Sequence, residues 1–212
     1  MARILVIGGS LGGLMAAQLL LRAGHDVQVL ERSQRSLQGR GAGIVTHESL
    51  HNTLRACAVP VDATLGVAVA SRVVLGRDGE PLCRWDHPQI LTSWGRPYTL
   101  LRLALPEGRY RLGAAVQSVT QDESGVTAHL AGGERLQADL LVAADGIRST
   151  VRSQLLPAVQ PRYAGYVAWR GVCDESALSR HTLQTLFPHF AFGLPAGEQM
   201  IGYPVAGADD ST

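Results

Sequence analysis

The sequence contains no lysine: all 19 basic residues among its 212 are arginines. Schiff-base catalysis and the phosphate-binding P-loop both need a lysine, so both are excluded. Cysteine is scarce as well, because only Cys57, Cys83 and Cys173 occur, far apart and without a Cys-x-x-Cys spacing. This pattern indicates reduced thiols and argues against a disulfide framework or a cysteine-rich zinc site.

Long apolar runs are also missing. No stretch reaches the ~20 apolar residues that a membrane-spanning helix needs, and the first residues lack the pattern of a secretory signal peptide. Aromatic residues make up only 5% of the chain, and the formal net charge is +1. A nearly neutral chain is not expected to bind nucleic acid or an anionic membrane as its main partner. We therefore expect a cytoplasmic protein with no nucleic-acid partner and no membrane partner.

The N-terminal residues show the pattern of a strand, a helix and a second strand. Residues 3–7 and 26–30 are short β-branched runs, and residues 11–23 between them have helical apolar spacing. A unit of this length favours a right-handed crossover and parallel pairing of the two strands. A further buried strand is predicted at 139–144, where a continuous apolar run ends at Asp145.

The rest of the chain predicts mostly antiparallel structure. Residues 65–85 alternate around an Asp-Gly turn, and short runs between 115 and 138 predict a β-meander. Helices are expected at 47–58 and 98–105.

The pattern changes near Pro157, beyond which residues 163–172, 190–194 and 199–205 predict strands of a second sheet. We therefore predict an α/β fold with a Rossmann-like domain, residues 1–156, and the beginning of a mainly β domain, residues 157–212.

The first turn contains a glycine-rich motif, Gly8-Gly9-Ser10-Leu11-Gly12-Gly13. Dinucleotide-binding turns use glycine at the first, third and sixth positions, and here Ser10 replaces the middle glycine. The N–H groups and the dipole at the helix N-terminus, which bind anions, survive this replacement. Glu31 follows the second strand at about the spacing expected for a carboxylate that binds a ribose. A glycine turn without a ligand is the alternative.

Two other motifs carry less weight. Asp145-Gly146 ends a predicted parallel strand, where open α/β sheets bind ligands, but a strand-end Asp followed by a turn Gly is common. His47-Glu48-Ser49-Leu50-His51 matches the H-E-x-x-H zinc motif formally. No Glu or His between 52 and 79 supplies a third ligand, so the zinc hydrolase hypothesis is disfavoured and no metal is expected.

Four segments together resemble one family. Residues 6–32, 39–44 (GRGAGI), 140–152 (LLVAADGIRSTVR) and 163–171 are similar to the FAD-dependent aromatic hydroxylases, which are single-component flavoprotein monooxygenases. The G-G-S form of the first motif and GRGAGI resemble the 2,6-dihydroxypyridine 3-monooxygenase branch. On this resemblance the first domain is an FAD-binding domain and the second is the beginning of a substrate domain.

The resemblance also implies which residues bind FAD. The glycine-rich motif would hold the pyrophosphate, Glu31 with Arg32 the adenosine ribose, and the 40–43 loop the flavin side. Arg102 lies in a helix whose counterpart in the family approaches the pyrophosphate, and the Asp-Gly motif touches FAD. The implied cofactor-binding residues are Gly8, Ser10, Leu11, Gly12, Gly13, Glu31, Arg32, Arg40, Gly41, Gly43, Arg102, Asp145 and Gly146.

The activity implied by the resemblance is hydroxylation of a small aromatic or N-heteroaromatic compound, such as a hydroxypyridine or a phenol. FAD would be the cofactor, NADH or NADPH the transient reductant and O2 the co-substrate, with no catalytic side chain assigned and a homodimer as a compatible assembly. The Gly-Asp motif that the family carries in its later half does not occur after residue 152. We therefore expect the N-terminal portion of such an enzyme, and the alternative is a truncated FAD-binding module that is inactive alone.

Overall fold

The computed structural model describes residues 1–39 and 43–206. The described α-helices are α1 (Leu11–Arg22), α2 (Glu48–Ala56), α3 (Gly95–Ala104), α4 (Thr150–Leu155) and α5 (Arg180–Thr185). The described β-strands are β1 (Arg3–Ile7), β2 (Asp26–Leu30), β3 (Gly43–Val45), β4 (Val67–Leu75), β5 (Pro81–Ser93), β6 (Tyr110–Arg111), β7 (Val116–Asp122), β8 (Gly125–Leu130), β9 (Arg135–Ala138), β10 (Leu140–Ala143), β11 (His189–Gly193) and β12 (Met200–Gly202).

The chain forms two compact units that alternate along the sequence. The first unit contains Met1–Gln38, Thr53–Val59 and Tyr98–Ala168. The second unit contains the described residues of Gly39–Asn52, Pro60–Pro97 and Trp169–Thr212.

A four-stranded parallel sheet in the order β10-β1-β2-β6 lies in the first unit. Its central strand β1 is almost fully apolar and buried, which confirms the prediction of a parallel α/β sheet from the continuous apolar runs. Helix α1 follows β1 and carries a polar residue in its buried face, Gln18. The Gln18 amide donates to the Leu101 carbonyl oxygen of α3 at 3.1 Å, so this buried polar group is paired.

The predicted β-meander is confirmed as the antiparallel sheet β7-β8-β9, also in the first unit. Its inward side chains, among them Ala128 and Leu130, join the core beneath β1 at Leu5. Helix α4 packs against β7, where Gln154 accepts a hydrogen bond from the Val119 amide at 2.9 Å. The meander therefore covers one side of the strands that end at the two candidate motifs.

The second unit is built on a five-stranded sheet in the order β12-β11-β4-β5-β3. Strands β4 and β5 form the predicted hairpin, and β11 pairs with β4 in parallel. Val69, Leu91 and Phe190 form its buried cluster. The fold is therefore the mixed α/β architecture that the sequence predicts.

Two expectations differ from the structure. The units are not separated by a single cut near 157, because β4 and β5 belong to the same sheet as β11. The strand predicted over 163–172 is wrong: these residues form no strand, and Trp169 is 95% exposed. The segment is rich in aromatic and β-branched residues, but a strand needs a paired neighbour, and no described strand pairs with it.

None of the helices within residues 1–39 and 43–206 combines the length and the apolarity that crossing a membrane requires.

Candidate functional site

The turn between β1 and α1 requires glycine at two positions for steric reasons. Gly8 has a φ of +104°, and a Cβ there would overlap the carbonyl oxygen of Ala144. A Cβ on Gly13 would overlap the carbonyl oxygen of Gly8. These are the first and sixth positions of the motif, so the close approach of helix, turn and strand that the spacing predicts is present.

Ser10 and Gly12 leave space for a ligand, whereas Gly9 is buried against Tyr110. Gly12 is exposed, and within the described residues a Cβ on it would meet nothing closer than 4 Å. Ser10 is the N-cap residue of α1, yet its hydroxyl makes no capping hydrogen bond to the described backbone, and Leu11 is the first helical residue. Because the first N–H groups of a helix lack intrahelical partners, the turn presents backbone donors and a hydroxyl where an anion can approach.

Glu31 is buried, and its carboxylate forms hydrogen bonds with backbone amides of the turn and of the residues after β2. Its carboxylate accepts hydrogen bonds from the amide of Gly9 at 2.9 Å and the amide of Ser33 at 2.8 Å. The sequence predicts a ribose contact for Glu31 but not this second function. A carboxylate has about four lone-pair positions, so two remain for ribose hydroxyls. Arg32 beside it is exposed.

A tyrosine that the sequence analysis missed lies on the other side of the turn. The Tyr110 hydroxyl donates to the Gly9 carbonyl oxygen at 3.0 Å. The Tyr98 hydroxyl lies 3.4 Å from the Tyr110 hydroxyl. The guanidinium of Arg102 stacks over the Tyr110 ring, 3.9 Å from its centroid. Arg102 therefore lies on the ring of a tyrosine that contacts the turn, and its contact with the pyrophosphate stays a prediction. Strand β6, which carries Tyr110, has only two residues, too short for a periodic signal.

The Asp145-Gly146 turn is held by hydrogen bonds to residues that follow it closely in the sequence. The Asp145 carboxylate accepts from the amides of Thr150 at 2.8 Å and Val151 at 3.4 Å, so it caps α4 together with Ser149. Gly146 is exposed with a φ of +78°. A carboxylate at a helix N-terminus is stabilised by the free N–H groups there, which accounts for the motif without a ligand.

An open groove joins the two turns. Its volume is about 550 Å³, and its lining includes Gly12 from the first turn, Asp145 and Gly146 from the second, and Leu155 from α4. The groove thus lies at the carboxyl end of β10 beside the first turn of α1, in the region where open α/β sheets bind ligands.

The remaining predicted residues lie elsewhere. Arg40 and Gly41 lie outside the described residues. Gly43 begins β3 in the second unit, where a Cβ would overlap the Tyr203 ring. His47 precedes α2, and its Nδ1 accepts from the Leu50 amide at 3.3 Å, which makes it a capping residue. In residues 1–39 and 43–206 no group of three His, Cys, Asp or Glu residues could hold a metal, so the zinc hypothesis gains no support.

The second unit contains an aromatic cluster that the sequence analysis did not single out, formed by Phe190, Phe192 and Tyr203. The Phe190 ring centroid lies 4.7 Å from that of Phe192 and 5.1 Å from that of Tyr203. Trp85 stacks on Phe192 at 6.4 Å, and the Arg72 guanidinium lies over Phe190 at 5.6 Å. Phe190 and Phe192 are two residues apart on β11 and so lie on the same face of the strand, whereas Trp85 comes from β5, a distant part of the sequence.

Comparison with known proteins agrees with this geometry. The family described as "FAD binding domain" matches residues 1–59 and 102–186, and a second, described as "FAD binding domain-like", matches residues 163–212. The 2,6-dihydroxypyridine 3-monooxygenase of Paenarthrobacter nicotinovorans is 34% identical over 99% of this chain and 52% of its own length. The aurachin C monooxygenase/isomerase of Stigmatella aurantiaca is 35% identical over 92% of this chain and 54% of its own length.

A solved structure gives the same result. The 2,6-dihydroxypyridine-3-hydroxylase from Arthrobacter nicotinovorans has a TM-score of 0.90 and 33% identity, and the match covers 99% of this chain and 53% of that one. The chain spans about half the length of the curated relatives it matches. The glycine turn, its groove and these matches lead to one conclusion: the chain belongs to the FAD-binding domain family that the resemblance predicts, and FAD is the cofactor of that family.

Proposed function

We propose that this chain provides the FAD-binding part of a monooxygenase that hydroxylates a small aromatic or N-heteroaromatic compound. The observation that carries the proposal is the turn at residues 8–13. There Gly8 and Gly13 are required by the protein itself, while Gly12 opens onto a groove. Its relatives that are named monooxygenases match almost the whole chain.

The residues of the first unit fit the diphosphate and ribose of FAD. The backbone of residues 10–13 would bind the pyrophosphate, and the Ser10 hydroxyl would donate to a phosphate oxygen. Glu31 would accept from the adenosine ribose with the lone pairs that Gly9 and Ser33 leave unused. Arg102 lies beside the turn on Tyr110 and would add a positive charge near the phosphates.

The proposed reaction converts an aromatic C–H to C–OH. One atom of O2 enters the ring and the other leaves as water, while NADH or NADPH and one proton supply the two reducing equivalents. FAD, when bound, supplies the redox chemistry and the activation of O2. This chain would bind and orient the cofactor, because in flavin chemistry the protein positions the reacting groups and excludes water.

Recognition of an aromatic ring is supported by the second unit. Phe192 and Tyr203 pack against the buried Phe190 and are themselves only partly buried, and Trp85 beside them is 42% exposed. Aromatic side chains prefer offset or edge-to-face contact with another ring. We therefore include a small aromatic substrate and O2 as partners, with neither nucleic acid nor a membrane among them.

The test is to add FAD to the purified chain, remove unbound flavin and record the absorbance spectrum. We expect a yellow protein with close to one FAD per chain, and displacement of that FAD by ADP. Oxidation of NADH or NADPH is then followed with 2,6-dihydroxypyridine and with phenol as candidate substrates. A folded chain that retains no flavin would contradict the proposal at its first step.

A chain that binds FAD without oxidising NAD(P)H would support the narrower alternative, an FAD-binding module that is inactive alone. The supply of NAD(P)H in the cytoplasm favours that compartment for the proposed activity. A homodimer is compatible with the proposal, and light scattering of the FAD-loaded chain tests it.

A further inference from the structure

The peptide group that follows Gly9 is fixed by a residue outside the motif. The Gly9 amide donates to Glu31 at 2.9 Å, and the Gly9 carbonyl oxygen accepts from the Tyr110 hydroxyl at 3.0 Å. Gly9 is buried, and a Cβ on it would overlap the Tyr110 hydroxyl, so the contact requires glycine here. The two hydrogen bonds leave the backbone at Gly9 one orientation.

That orientation determines where the next N–H group points. The peptide bond between Gly9 and Ser10 is trans. In a planar trans peptide the C=O and N–H bonds point in opposite directions. Because the Gly9 C=O points at Tyr110, the Ser10 N–H points away from Tyr110, on the side of the turn opposite that ring.

We propose that Tyr110 is a positioning residue for the diphosphate site, where it holds the Gly9 carbonyl and thereby turns the Ser10 N–H toward the ligand. The inference rests on the proposed binding of FAD at this turn. Tyr110 makes a second contact near the turn, because the Arg102 guanidinium lies over its ring, 3.9 Å from the centroid. One side chain thus orients both a backbone donor and a cation.

The hydroxyl groups around Tyr110 form a directed series of hydrogen bonds. The Leu37 amide donates to the Tyr98 hydroxyl at 3.3 Å, and the two tyrosine hydroxyls are 3.4 Å apart. Since the Tyr110 proton is used by Gly9, Tyr98 donates to Tyr110. Burial raises the pKa of Tyr110 above its usual range, so Tyr110 stays protonated and remains a donor.

The experiment compares Tyr110→Phe with a matched control, Tyr98→Phe, in the full chain. Both variants remove one tyrosine hydroxyl from the same hydrogen-bonded series, but only Tyr110 contacts Gly9. ADP affinity is measured by calorimetry, FAD affinity by quenching of flavin fluorescence, and stability by thermal unfolding. The Tyr110→Phe change keeps an aromatic ring under Arg102, so its effect reports the hydroxyl alone.

We expect Tyr110→Phe to weaken ADP and FAD binding about tenfold, the equivalent of one hydrogen bond, and Tyr98→Phe to weaken both less than about threefold. A purely structural function predicts lower stability for both variants with equal effects on affinity. Equal affinity losses in the two variants, or a Tyr110→Phe chain that binds ADP as the wild type does, would therefore overturn the inference.

A second variant keeps the test independent of how well Tyr110→Phe folds. Ser10 has a φ of −81°, close to the value that proline imposes, so Ser10→Pro removes the N–H at small cost to the local φ. Because this change also removes the hydroxyl, its affinity is compared with that of Ser10→Ala, which lacks the hydroxyl but keeps the N–H. We expect Ser10→Pro to weaken ADP binding about tenfold, and Tyr110→Phe to add little in that background, because the N–H it orients is gone. Wild-type ADP affinity in Ser10→Pro, or multiplicative effects of the two changes, would overturn the inference. A wild-type chain that binds neither nucleotide would overturn the proposed function and this inference with it.

Discussion

The glycine turn of the first unit and the aromatic cluster of the second unit depend on different kinds of contact. In the turn, the Gly9 amide donates to Glu31 and the Gly9 carbonyl oxygen accepts from Tyr110, and a Cβ on Gly13 has no room. In the sheet, Phe190 is buried among other apolar side chains. An added atom or a lost carboxylate charge is therefore expected to destabilise the turn, whereas the sheet is destabilised by the loss of a buried side chain.

The largest expected loss of unfolding free energy comes from a change in the five-stranded sheet of the second unit. Phe190→Ala removes a buried ring that contacts Phe192 and Tyr203, and we expect a loss of about 3–5 kcal/mol in the free energy of unfolding. Urea denaturation measures it. The control is Trp85→Ala, because Trp85 is half-exposed and its loss leaves less of a cavity. A larger loss for Trp85→Ala than for Phe190→Ala would break the comparison.

Two neighbouring glycines test the turn. Gly13→Ala forces a Cβ against the Gly8 carbonyl, whereas Gly12→Ala adds one in open space. We expect Gly13→Ala to be less stable than Gly12→Ala by about 3 kcal/mol, since overpacking against backbone cannot relax easily. Gly12→Ala itself should gain about 0.5–1 kcal/mol from helix propensity. Equal unfolding free energies for the pair would contradict the steric account of the motif.

The next largest expected change in unfolding free energy comes from the carboxylate of Glu31. Glu31→Gln presents an NH2 group to one of two backbone donors, Gly9 or Ser33, and leaves one buried donor unpaired. We expect a loss of about 2 kcal/mol in unfolding free energy, measured by urea denaturation. Glu134→Gln is the control, because the Glu134 ion pair with Arg111 is exposed and contributes little. A smaller loss for Glu31→Gln than for Glu134→Gln would remove the structural function of Glu31.

The smallest expected effect is a loss of thermal stability at acidic pH, and it depends on His189 in β11 of the second unit. Burial, with a contribution from Arg84, lowers the pKa of His189, which pairs with Ser71 at 2.8 Å. The fold therefore favours neutral His189, so its stabilisation is present above the ordinary histidine pKa of about 6.5 and is lost as pH falls below it. We expect the unfolding temperature to fall between neutral pH and about pH 5. In His189→Gln this fall should be smaller, and an unchanged fall would assign the acid sensitivity to other groups.

Much of the fold could be predicted because its strands are locally encoded. The runs at 3–7 and 139–144 are largely apolar, and the run at 26–30 alternates Val27 and Val29 with polar residues, so each is recognisable as a strand. The strand predicted at 163–172 is equally apolar but does not form. An apolar run shows that a segment can be buried, and pairing depends on a neighbour that the sequence pattern does not identify.

The candidate site could be predicted only in part. The motif spacing located Gly8 and Gly13 because their steric requirement recurs at fixed offsets, while the ribose contact of Glu31 stays a prediction. The contacts of Tyr110 with Gly9 and of Glu31 with the Gly9 amide could not be predicted, since they join residues 101 and 22 positions apart. Asp145 was located by its position at the end of a strand, but its hydrogen bonds to α4 are local and say nothing about a ligand.

The most direct test of FAD binding at the glycine turn uses Gly12→Leu. Within the described residues a side chain at 12 meets no neighbouring atom at Cβ, so the fold should tolerate it, but the added atoms occupy the space assigned to the diphosphate. Gly171→Leu is the control, since Gly171 also faces open space and lies in the second unit. Titration with FAD should show a Kd at least about tenfold weaker for Gly12→Leu, with Gly171→Leu unchanged. Wild-type FAD affinity in a folded Gly12→Leu chain would contradict the account.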